Sequence, residues 1–260
     1  MKYIYFLSGL PRAGNTLLSS ILNENPNIYA TGKSANVEIM HRIFSIKEAD
    51  IYKEYPQKIG VDNILKNYFS NFYKNIKEDY VIERGEWITP YNLSVLSNYC
   101  PNNIKIVVMT RKIEDIIKSF LGVAKRNKNY YINEQYNLSS NDLDYKNEID
   151  YKVDLIMQNT HLINMIASIH KIQESNMIKF IDYDDLVTDT VKVIKSIYQF
   201  YEIEYFEHNL KNIKQLKGYN DEYFYNDTHT INTKEIAKRN LEINLPKHIV
   251  SKYKQYNLDF

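Results

Sequence analysis

The stretch Gly9-Leu-Pro-Arg-Ala-Gly-Asn-Thr16 decides the fold, because it has the G-x-x-x-x-G-x-T spacing of a Walker-type phosphate loop. The apolar run Tyr3-Ile-Tyr-Phe-Leu7 before it predicts a buried strand, and the apolar spacing of Thr16–Leu22 after it predicts a helix. Glycines let such a loop fold closely around an anion, while the helix directs N–H groups and the positive end of its dipole at the same point. The stretch, together with Ser8, therefore predicts an anion-binding loop between a strand and a helix.

The loop departs from the Walker pattern directly before Thr16. That pattern requires Lys where this chain has Asn15, so the ammonium group that reaches the β- and γ-phosphates of a nucleotide is missing. Arg12 instead supplies a cation inside the loop, and a guanidinium holds anionic oxygens through charge-assisted hydrogen bonds. These features disfavour a kinase or a nucleotide hydrolase. The alternative is a strand-to-helix turn in which Gly and Pro serve backbone geometry alone.

The rest of the chain alternates short apolar runs with helical patterns. Further strands are predicted at 80–82, 104–109 and 177–181, and helices at about 36–49, 57–76, 114–124 and 194–201. This alternation predicts an α/β fold of the P-loop type, with three α/β/α layers and a mostly parallel central sheet. The polar stretch 130–150 predicts a long loop or lid. From Phe206 onward the pattern predicts peripheral short helices that wrap the sheet, one of them beginning near Pro246.

Composition limits the classes of protein to which the chain can belong. With 260 residues, a net charge of +1 and 44% apolar residues, it is expected to form a single domain over 1–260 that binds no nucleic acid. Cys100 is the only cysteine, which excludes an intramolecular disulfide and favours a reducing compartment. No stretch has the ~18 consecutive apolar residues of a membrane span. We therefore expect a cytoplasmic protein.

The run Leu7–Pro26 resembles the 5′-phosphosulfate loop of sulfotransferases that use 3′-phosphoadenosine 5′-phosphosulfate (PAPS), in the branch where Arg replaces a more familiar Lys. The resemblance implies that PAPS is the sulfuryl donor, that no metal is required, and that the loop binds the donor through the residues Pro11, Arg12, Ala13, Gly14, Asn15 and Thr16. Relatives usually carry hydroxyl residues where this chain has Ala13 and Asn15, which removes two side-chain donors but leaves the backbone donors and Thr16.

A second anion site is needed to recognise the 3′-phosphate of PAPS. The predicted strand 104–109 leads into Arg111, and Ser119 follows on the next predicted helix, a spacing that resembles the 3′-phosphate motif of the family. Taken singly, Arg111 reads as a surface cation and Ser119 as a helix residue bonded to its own backbone. A third stretch, 180–189, resembles the family's strand, Tyr-Glu-Asp-Leu-Val turn and helix, and implies that Tyr183 lies near the nucleotide or packs at the end of the strand.

The resemblance also suggests catalytic groups. Arg12 is expected to stabilise charge on the departing phosphate oxygen, and Arg84 lies where relatives carry Lys after a strand; its alternative is an ion pair with a neighbouring glutamate. Glu38 resembles the acidic residue that acts as the acceptor's base in this branch, with a plain surface glutamate as the alternative. The further candidates at the acceptor are Lys33 and His41. His229, in Asp227-Thr-His-Thr-Ile-Asn232, resembles a late motif of relatives that commonly ends in Arg, and the resemblance implies that it closes over the site.

Three functions remain open from the sequence. The first is transfer of a sulfuryl group from PAPS to a hydroxyl or amine by in-line displacement, which releases adenosine 3′,5′-bisphosphate (PAP). The second is a P-loop nucleotide kinase or other phosphoryl transferase, and the third is a catalytically inactive nucleotide-binding relative. The acceptor is left open among small molecules, sugars and peptides.

Overall fold

The fold is built on a five-stranded parallel sheet. The computed structural model describes residues 2–55, 58–100, 104–139, 147–172, 174–216, 229–231, 234–238 and 242–258. The strands are β1 (Tyr3–Gly9), β2 (Ile28–Ala30), β3 (Tyr80–Arg84), β4 (Ile106–Thr110) and β5 (Ile178–Asp182), in the order β2-β3-β1-β4-β5. Helices flank this sheet, so the predicted fold class is confirmed.

The register of the sheet brings several loops to one edge. Leu7 of β1 lies beside Arg84 of β3, and Thr110 of β4 lies beside Asp182 of β5. All strands run in the same direction, so the loops that follow their last residues meet at the carboxyl edge. β1 is central, and the chain passes to opposite sides of it to form β3 and β4. A crevice at such a reversal of strand order is where open α/β sheets bind ligands.

The described helices follow the sequence only in part. They are α1 (Asn15–Leu22), α2 (Asn36–Ser45), α3 (Asp50–Glu54), α4 (Lys58–Lys66), α5 (Tyr68–Phe72), α6 (Pro90–Tyr99), α7 (Ile113–Arg126), α8 (Tyr131–Ser139), α9 (Glu148–Met157), α10 (Thr160–Lys171), α11 (Tyr183–Thr188), α12 (Thr190–Tyr201) and α13 (Lys247–Tyr253). The single helix predicted over 57–76 is two helices, because the chain leaves helical geometry at Asn67. That side chain donates to the Asn63 carbonyl, a local bond that competes with the helical pattern.

The prediction of a loop or lid over 130–150 is wrong for most of its length. Helix α8 and the start of α9 occupy the described part, and residues 140–146 lie outside the described ranges. Tyr130 and Ile132 are buried in the core, and Val153 of α9 is fully buried. The Asn147 side chain caps α9 by accepting from the Asp150 N–H. The segment is therefore a layer of the fold.

The C-terminal part contains less helix than expected. The helix predicted near Pro246 is confirmed as α13, with Pro246 at its N-cap. The stretches 206–216, 229–231 and 234–238 are irregular, whereas the pattern had predicted short helices there. Residues 217–228 lie outside the described ranges. Among the helices that the structure describes, none is long and apolar enough to cross a lipid bilayer.

Candidate active site

Two glycines give the loop after β1 its shape. Gly9 has φ 140°, and a Cβ on it would lie 2.4 Å from the Met109 carbonyl oxygen of β4. Gly14 has φ 85°, and a Cβ there would lie 2.7 Å from the Tyr183 ring. Both positions therefore exclude larger residues by backbone conformation and by space. The loop is thereby pressed against β4 and against the start of α11.

The side chain at the Walker lysine position turns into the loop. Asn15 is 4% exposed, and its Nδ2 donates to the Leu10 carbonyl at 2.8 Å. The Ala13 N–H donates to the same carbonyl at 3.3 Å, and its methyl group is fully buried. The Leu10 N–H in turn donates to the Met109 carbonyl at 2.9 Å. Asn15 thus holds the loop closed, and Ala13 does not line the cavity that the loop encloses.

Arg12 links the loop to the opposite wall of this cavity. It has φ 62°, a left-handed conformation that is costly for a residue with a side chain. Its Nε donates to Ser119 Oγ on α7 at 3.0 Å, and its carbonyl accepts from Arg111 Nη1 at 2.7 Å. The two residues expected at a 3′-phosphate therefore both contact the loop's own arginine.

Arg111 is a buried cation at the end of β4. It is 7% exposed, and its guanidinium lies 4.1 Å from the centre of the Tyr183 ring, within cation–π range. Burial lowers the pKa of Arg111, although Tyr183 and nearby carboxylates oppose that shift. Within the described part of the chain, Arg111 Nε has no hydrogen-bond partner. A buried, incompletely paired guanidinium at a cavity wall is suited to binding an anion.

Arg84 supplies a second cation on the other side of β1. Its Nη1 donates to Thr16 Oγ1 at 3.1 Å and to the Gly32 carbonyl, while its backbone N–H donates to Thr31 Oγ1 at 2.7 Å. Arg84 therefore joins the first turn of α1 to the loop that follows β2. Lys33, the next residue of that loop, is exposed and lines the cavity.

A carboxylate and an imidazole lie together on the cavity wall beyond Arg84. His161 Nε2 of α10 is 2.8 Å from Glu86 Oε1, and both residues line the cavity. Glu38 lies elsewhere: it is exposed on α2 and forms a 2.6 Å ion pair with Arg42, four residues further along the helix. His41 packs edge-on against Tyr91 outside the cavity lining.

A segment without regular secondary structure forms another wall of the cavity. Residues 229–231 and 235–237 line the cavity, and His229 is among them. Lys238 fastens this segment, because its Nζ lies 2.6 Å from Asp184 Oδ2 of α11 and 3.9 Å from Asp115 Oδ2 of α7. The segment therefore bridges the two helices that follow β4 and β5. Asp227, Thr228 and Asn232, its neighbours in sequence, lie outside the described residues.

The model of a family of known proteins matches this chain. The family is described as "Sulfotransferase family", and the match covers residues 5–207. The chain belongs to the sulfotransferase family. The resemblance seen in the loop sequence is thus confirmed over most of the chain, and sulfotransfer is favoured over the kinase alternative. Comparison with curated protein sequences gives no significant match.

Solved structures with a similar fold are sulfotransferases as well. The sulfotransferase domain of the Synechococcus PCC 7002 olefin synthase aligns with TM-score 0.56 and 14% identity, over 100% of this chain and 97% of the other. The domain from the curacin biosynthetic pathway aligns with TM-score 0.54 and 13% identity, over 100% and 93%. A sulfotransferase from Alicyclobacillus acidocaldarius aligns with TM-score 0.52 and 13% identity, over 98% and 91%. At these identities the likeness concerns the fold.

The structure brings together most of the predicted site residues of this sulfotransferase. The predicted residues that line one cavity at the carboxyl edge of the sheet are Pro11, Arg12, Gly14, Asn15, Thr16, Arg84, Arg111, Ser119 and Tyr183. Ala13 and Glu38 do not line it. Sequence reasoning missed the pair of Glu86 and His161. Glu86 follows β3 by two residues and could have been found from its place after a strand, whereas His161 arrives from α10 and gives no local signal.

Proposed function

We propose that this sulfotransferase takes its sulfuryl group from PAPS and passes it to a hydroxyl or amine acceptor, releasing PAP. The observation that carries the proposal is the hydrogen-bonded link between Arg12, Ser119 and Arg111. One anion site is the loop itself, and the second lies on the opposite wall of the same cavity, so the cavity suits a nucleotide with phosphate groups at both the 5′ and 3′ positions. A nucleotide with a single phosphate chain would leave the buried Arg111 without an anion.

The reaction requires charge stabilisation at the leaving group. As the bond between sulfur and the bridging phosphate oxygen breaks, its electron pair passes to that oxygen, which becomes a phosphate oxygen of PAP. The guanidinium groups of Arg12 and Arg84 and the N–H groups at the start of α1 are suited to hold this developing charge, because Arg12, Arg84 and the first residues of α1 line the cavity. Neither arginine serves as an acid at neutral pH.

The acceptor must lose a proton when its oxygen or nitrogen bonds to sulfur. We assign that proton to the carboxylate of Glu86, with His161 as its hydrogen-bonding partner, because the pair lines the cavity and Glu38 does not. A base in contact with the acceptor contributes on the order of 100-fold to 10,000-fold in rate.

The proposal extends to the whole chain. We take residues 1–260 as one sulfotransferase domain and, from the single cysteine, propose a cytoplasmic location. A catalytically inactive relative would keep the nucleotide site and lose turnover, and the pair of Glu86 and His161 supports an active enzyme instead.

The decisive experiment compares ligands by thermal unfolding. A ligand that binds only the folded state raises the melting temperature by an amount that grows with the logarithm of its concentration relative to its Kd. PAP at a fixed excess is expected to stabilise the protein more than ATP with Mg²⁺ or adenosine 5′-monophosphate (AMP). Greater stabilisation by ATP with Mg²⁺ would overturn the PAPS assignment. Transfer from ³⁵S-labelled PAPS to a panel of hydroxyl and amine compounds then distinguishes an active enzyme from a binding protein.

A further inference from the structure

Glu83 is a fully buried carboxyl group in β3, directly before Arg84. Successive side chains of a strand point to opposite faces, so Glu83 lies on the other side of the sheet from Arg84. Its Oε1 accepts from Ser34 Oγ, and its Oε2 accepts from Tyr73 OH. An unpaired buried carboxylate is costly, and these two hydroxyls satisfy both of its oxygens.

The direction of these hydrogen bonds is fixed by Asn36, which is also fully buried. Its backbone N–H donates to Ser34 Oγ at 3.1 Å, and its Nδ2 donates to Tyr73 OH at 3.0 Å. An N–H group only donates, so each hydroxyl accepts from Asn36 and must give its single proton elsewhere. The carboxylate of Glu83 therefore accepts a hydrogen bond from each hydroxyl. If Glu83 were protonated, or replaced by glutamine, one of its own hydrogens would point at a hydroxyl whose hydrogen points back at it. The arrangement therefore requires the ionised form of Glu83.

Ser34 belongs to the loop that carries Lys33 into the cavity. The residue before Lys33 is held through the Gly32 carbonyl by Arg84 Nη1, and the residue after it is held by Glu83. Lys33 therefore stands between two fixed points. The first is the contact with Arg84, which lines the cavity. The second is the contact with the carboxylate of Glu83, which does not line it.

We propose that Glu83 is a positioning residue whose ionised carboxylate, acting through Ser34, holds Lys33 against the anionic donor. The inference rests on the proposed function, since it takes the anion in the cavity to be PAPS. Burial raises the pKa of Glu83 to about 7, so the group changes charge in the physiological range. When Oε1 takes up a proton, Ser34 Oγ loses its acceptor, and the loop at Ser34 is released.

Among the described residues that face Glu83, no other group changes charge near neutral pH. The phenols facing it are Tyr68 and Tyr73, and burial raises the pKa of both, to about 12 for Tyr68. From α2 the amide of Asn36 faces the carboxylate, and Phe6 of β1 lies beside it in the register of the sheet. These two carry no titratable group, and both phenols stay neutral over the range in which Glu83 changes charge.

Two variants that each remove one hydroxyl test whether Glu83 acts on Lys33 through Ser34. Ser34→Ala and Tyr73→Phe each delete one hydroxyl from the same carboxylate, but only Ser34 lies in the loop of Lys33. Isothermal titration with PAP is expected to show a threefold to fivefold weaker affinity for Ser34→Ala, roughly the value of one solvent-screened ion contact. Tyr73→Phe is expected to leave PAP affinity within about twofold of the wild type, because Tyr73 lies outside the loop of Lys33 and does not line the cavity.

A double-mutant cycle decides whether the effect passes through Lys33. Lys33→Ala should weaken PAP binding about as much as Ser34→Ala does, and the pair together should lose no more than either alone. If Ser34→Ala weakens binding equally in the Lys33→Ala background, Glu83 and Ser34 act on the site by another path and the proposal fails. Equal losses for Ser34→Ala and Tyr73→Phe would also overturn it.

The pH dependence supplies a readout that a merely structural role would not move. Trp87 is the single tryptophan of the chain, it is 1% exposed, and its ring lies 5.7 Å from that of Phe69, which stacks on Tyr73. Its fluorescence should titrate near pH 7 in the wild type and not in Glu83→Gln. PAP affinity relative to Glu83→Gln should rise threefold to fivefold from pH 6 to pH 8, while parallel profiles would contradict the proposal.

The fluorescence titration also separates this inference from the proposed function. If PAP does not stabilise the wild-type protein, the PAPS assignment is wrong, whatever Glu83 does. If PAP binds and the Trp87 signal of the wild type and Glu83→Gln changes equally with pH, the PAPS assignment stands and the role of Glu83 is refuted. Should Glu83→Gln fail to fold, Ser34→Ala keeps the carboxylate and carries the test through the cycle with Lys33.

Discussion

Arg12 Nε donates a 3.0 Å hydrogen bond to Ser119 Oγ, which joins the loop after β1 to helix α7. The two residues are expected to bind different phosphate groups of the donor, yet they bind one another. A phosphate group that reaches Ser119 therefore competes for the hydroxyl that now holds Arg12. Occupation of the second anion site should release the guanidinium toward the first.

The first prediction concerns Ser119→Ala. Removal of a hydroxyl that binds a phosphate oxygen is expected to cost about 1.5 kcal/mol, or roughly tenfold in affinity for PAP. The affinity for AMP, which has no 3′-phosphate, should change less than about twofold by the same reasoning. Calorimetric titration of both nucleotides measures the difference.

Ser196→Ala is the matched control for this change. Ser196 lies on α12, where its hydroxyl donates to the Val193 carbonyl at 2.8 Å, away from the cavity. It should leave both nucleotide affinities at the wild-type values. Equal losses of PAP and AMP affinity in Ser119→Ala would show that Ser119 does not recognise the 3′-phosphate.

The second prediction separates the two glutamates that could serve as the base. Glu86→Gln keeps the shape of the side chain but accepts no proton, so transfer from PAPS should fall by about 100-fold or more. Affinity for PAP should remain within about twofold, because the base acts on the acceptor. The rate of labelled sulfate transfer to an accepted compound and the PAP titration supply the two numbers.

Glu38→Gln is the control, since it removes the other carboxylate. Glu38 is exposed and paired with Arg42, and an exposed pair of this kind contributes only about 0.3–0.5 kcal/mol. We expect wild-type transfer rates from this variant. A large loss in Glu38→Gln with normal rates in Glu86→Gln would return the role of base to α2.

The third prediction compares two glycines. Gly14→Ala places a Cβ 2.7 Å from Tyr183 at φ 85°, so it should lower the free energy of unfolding by at least 1–2 kcal/mol, roughly the cost of left-handed backbone alone. PAP binding should weaken as well, because the loop must move away from α11. Urea unfolding and PAP titration test both effects.

Gly60→Ala makes the same chemical change in helix α4. An added Cβ there has no atom within 4 Å, and alanine is preferred over glycine inside a helix by about 1 kcal/mol. This variant should therefore be more stable than the wild type and bind PAP normally. Destabilisation of both variants by similar amounts would contradict the steric explanation for Gly14.

The fourth prediction concerns stability in acid. The side chain of His208 is 2% exposed, its Nε2 lies 3.0 Å from Tyr198 OH, and burial lowers its pKa to about 4. Between about pH 6.5 and pH 4 the unfolded chain therefore binds a proton that the folded chain does not. Stability should fall as the pH drops through this window, by about 2–3 kcal/mol for a shift of this size.

His208→Gln removes that proton and keeps an amide able to reach Tyr198. Its unfolding free energy, measured in urea from pH 4 to pH 7.5, should fall less steeply with acid than that of the wild type. The raised pKa of the neighbouring Glu24 acts in the opposite direction, and both proteins contain it. Identical slopes would show that His208 is not the buried neutral group.

The sequence predicted the features that depend on neighbouring residues. β1, β3, β4 and β5 were found from apolar runs, although each begins or ends one to two residues from its expected bound. The strand β2 was missed because three residues give no periodic pattern. Helices α8 and α9 were predicted to be a lid because their sequences are mostly polar, and the few apolar residues that they bury do not form a clear helical pattern. Tertiary packing forms these helices, which a local pattern cannot detect.

In the site, too, the residues that were predicted lie close together in sequence, and those that were missed meet only in the folded chain. The glycines and Arg12 were found because the loop is contiguous, and Arg111 because it ends a strand. Glu86 and His161 come from distant segments, and only the folded chain brings them within 2.8 Å of one another. The Glu38 assignment relied on a similarity in sequence across a poorly matched stretch, where the direction of a helical side chain could not be inferred.

Asn15 has one more consequence, which concerns the rate and selectivity of binding. Because its amide closes the loop on the Leu10 carbonyl, the chain's own hydrogen bonds hold the concave surface of the loop. An arriving donor then orders little of the chain, and little of the interaction energy is lost to conformational entropy. Association should be limited by diffusion and charge steering, with a rate that falls as salt is added. A loop backbone held in this way selects ligands by fit, while the Arg12 side chain is the part that adjusts to the bound anion.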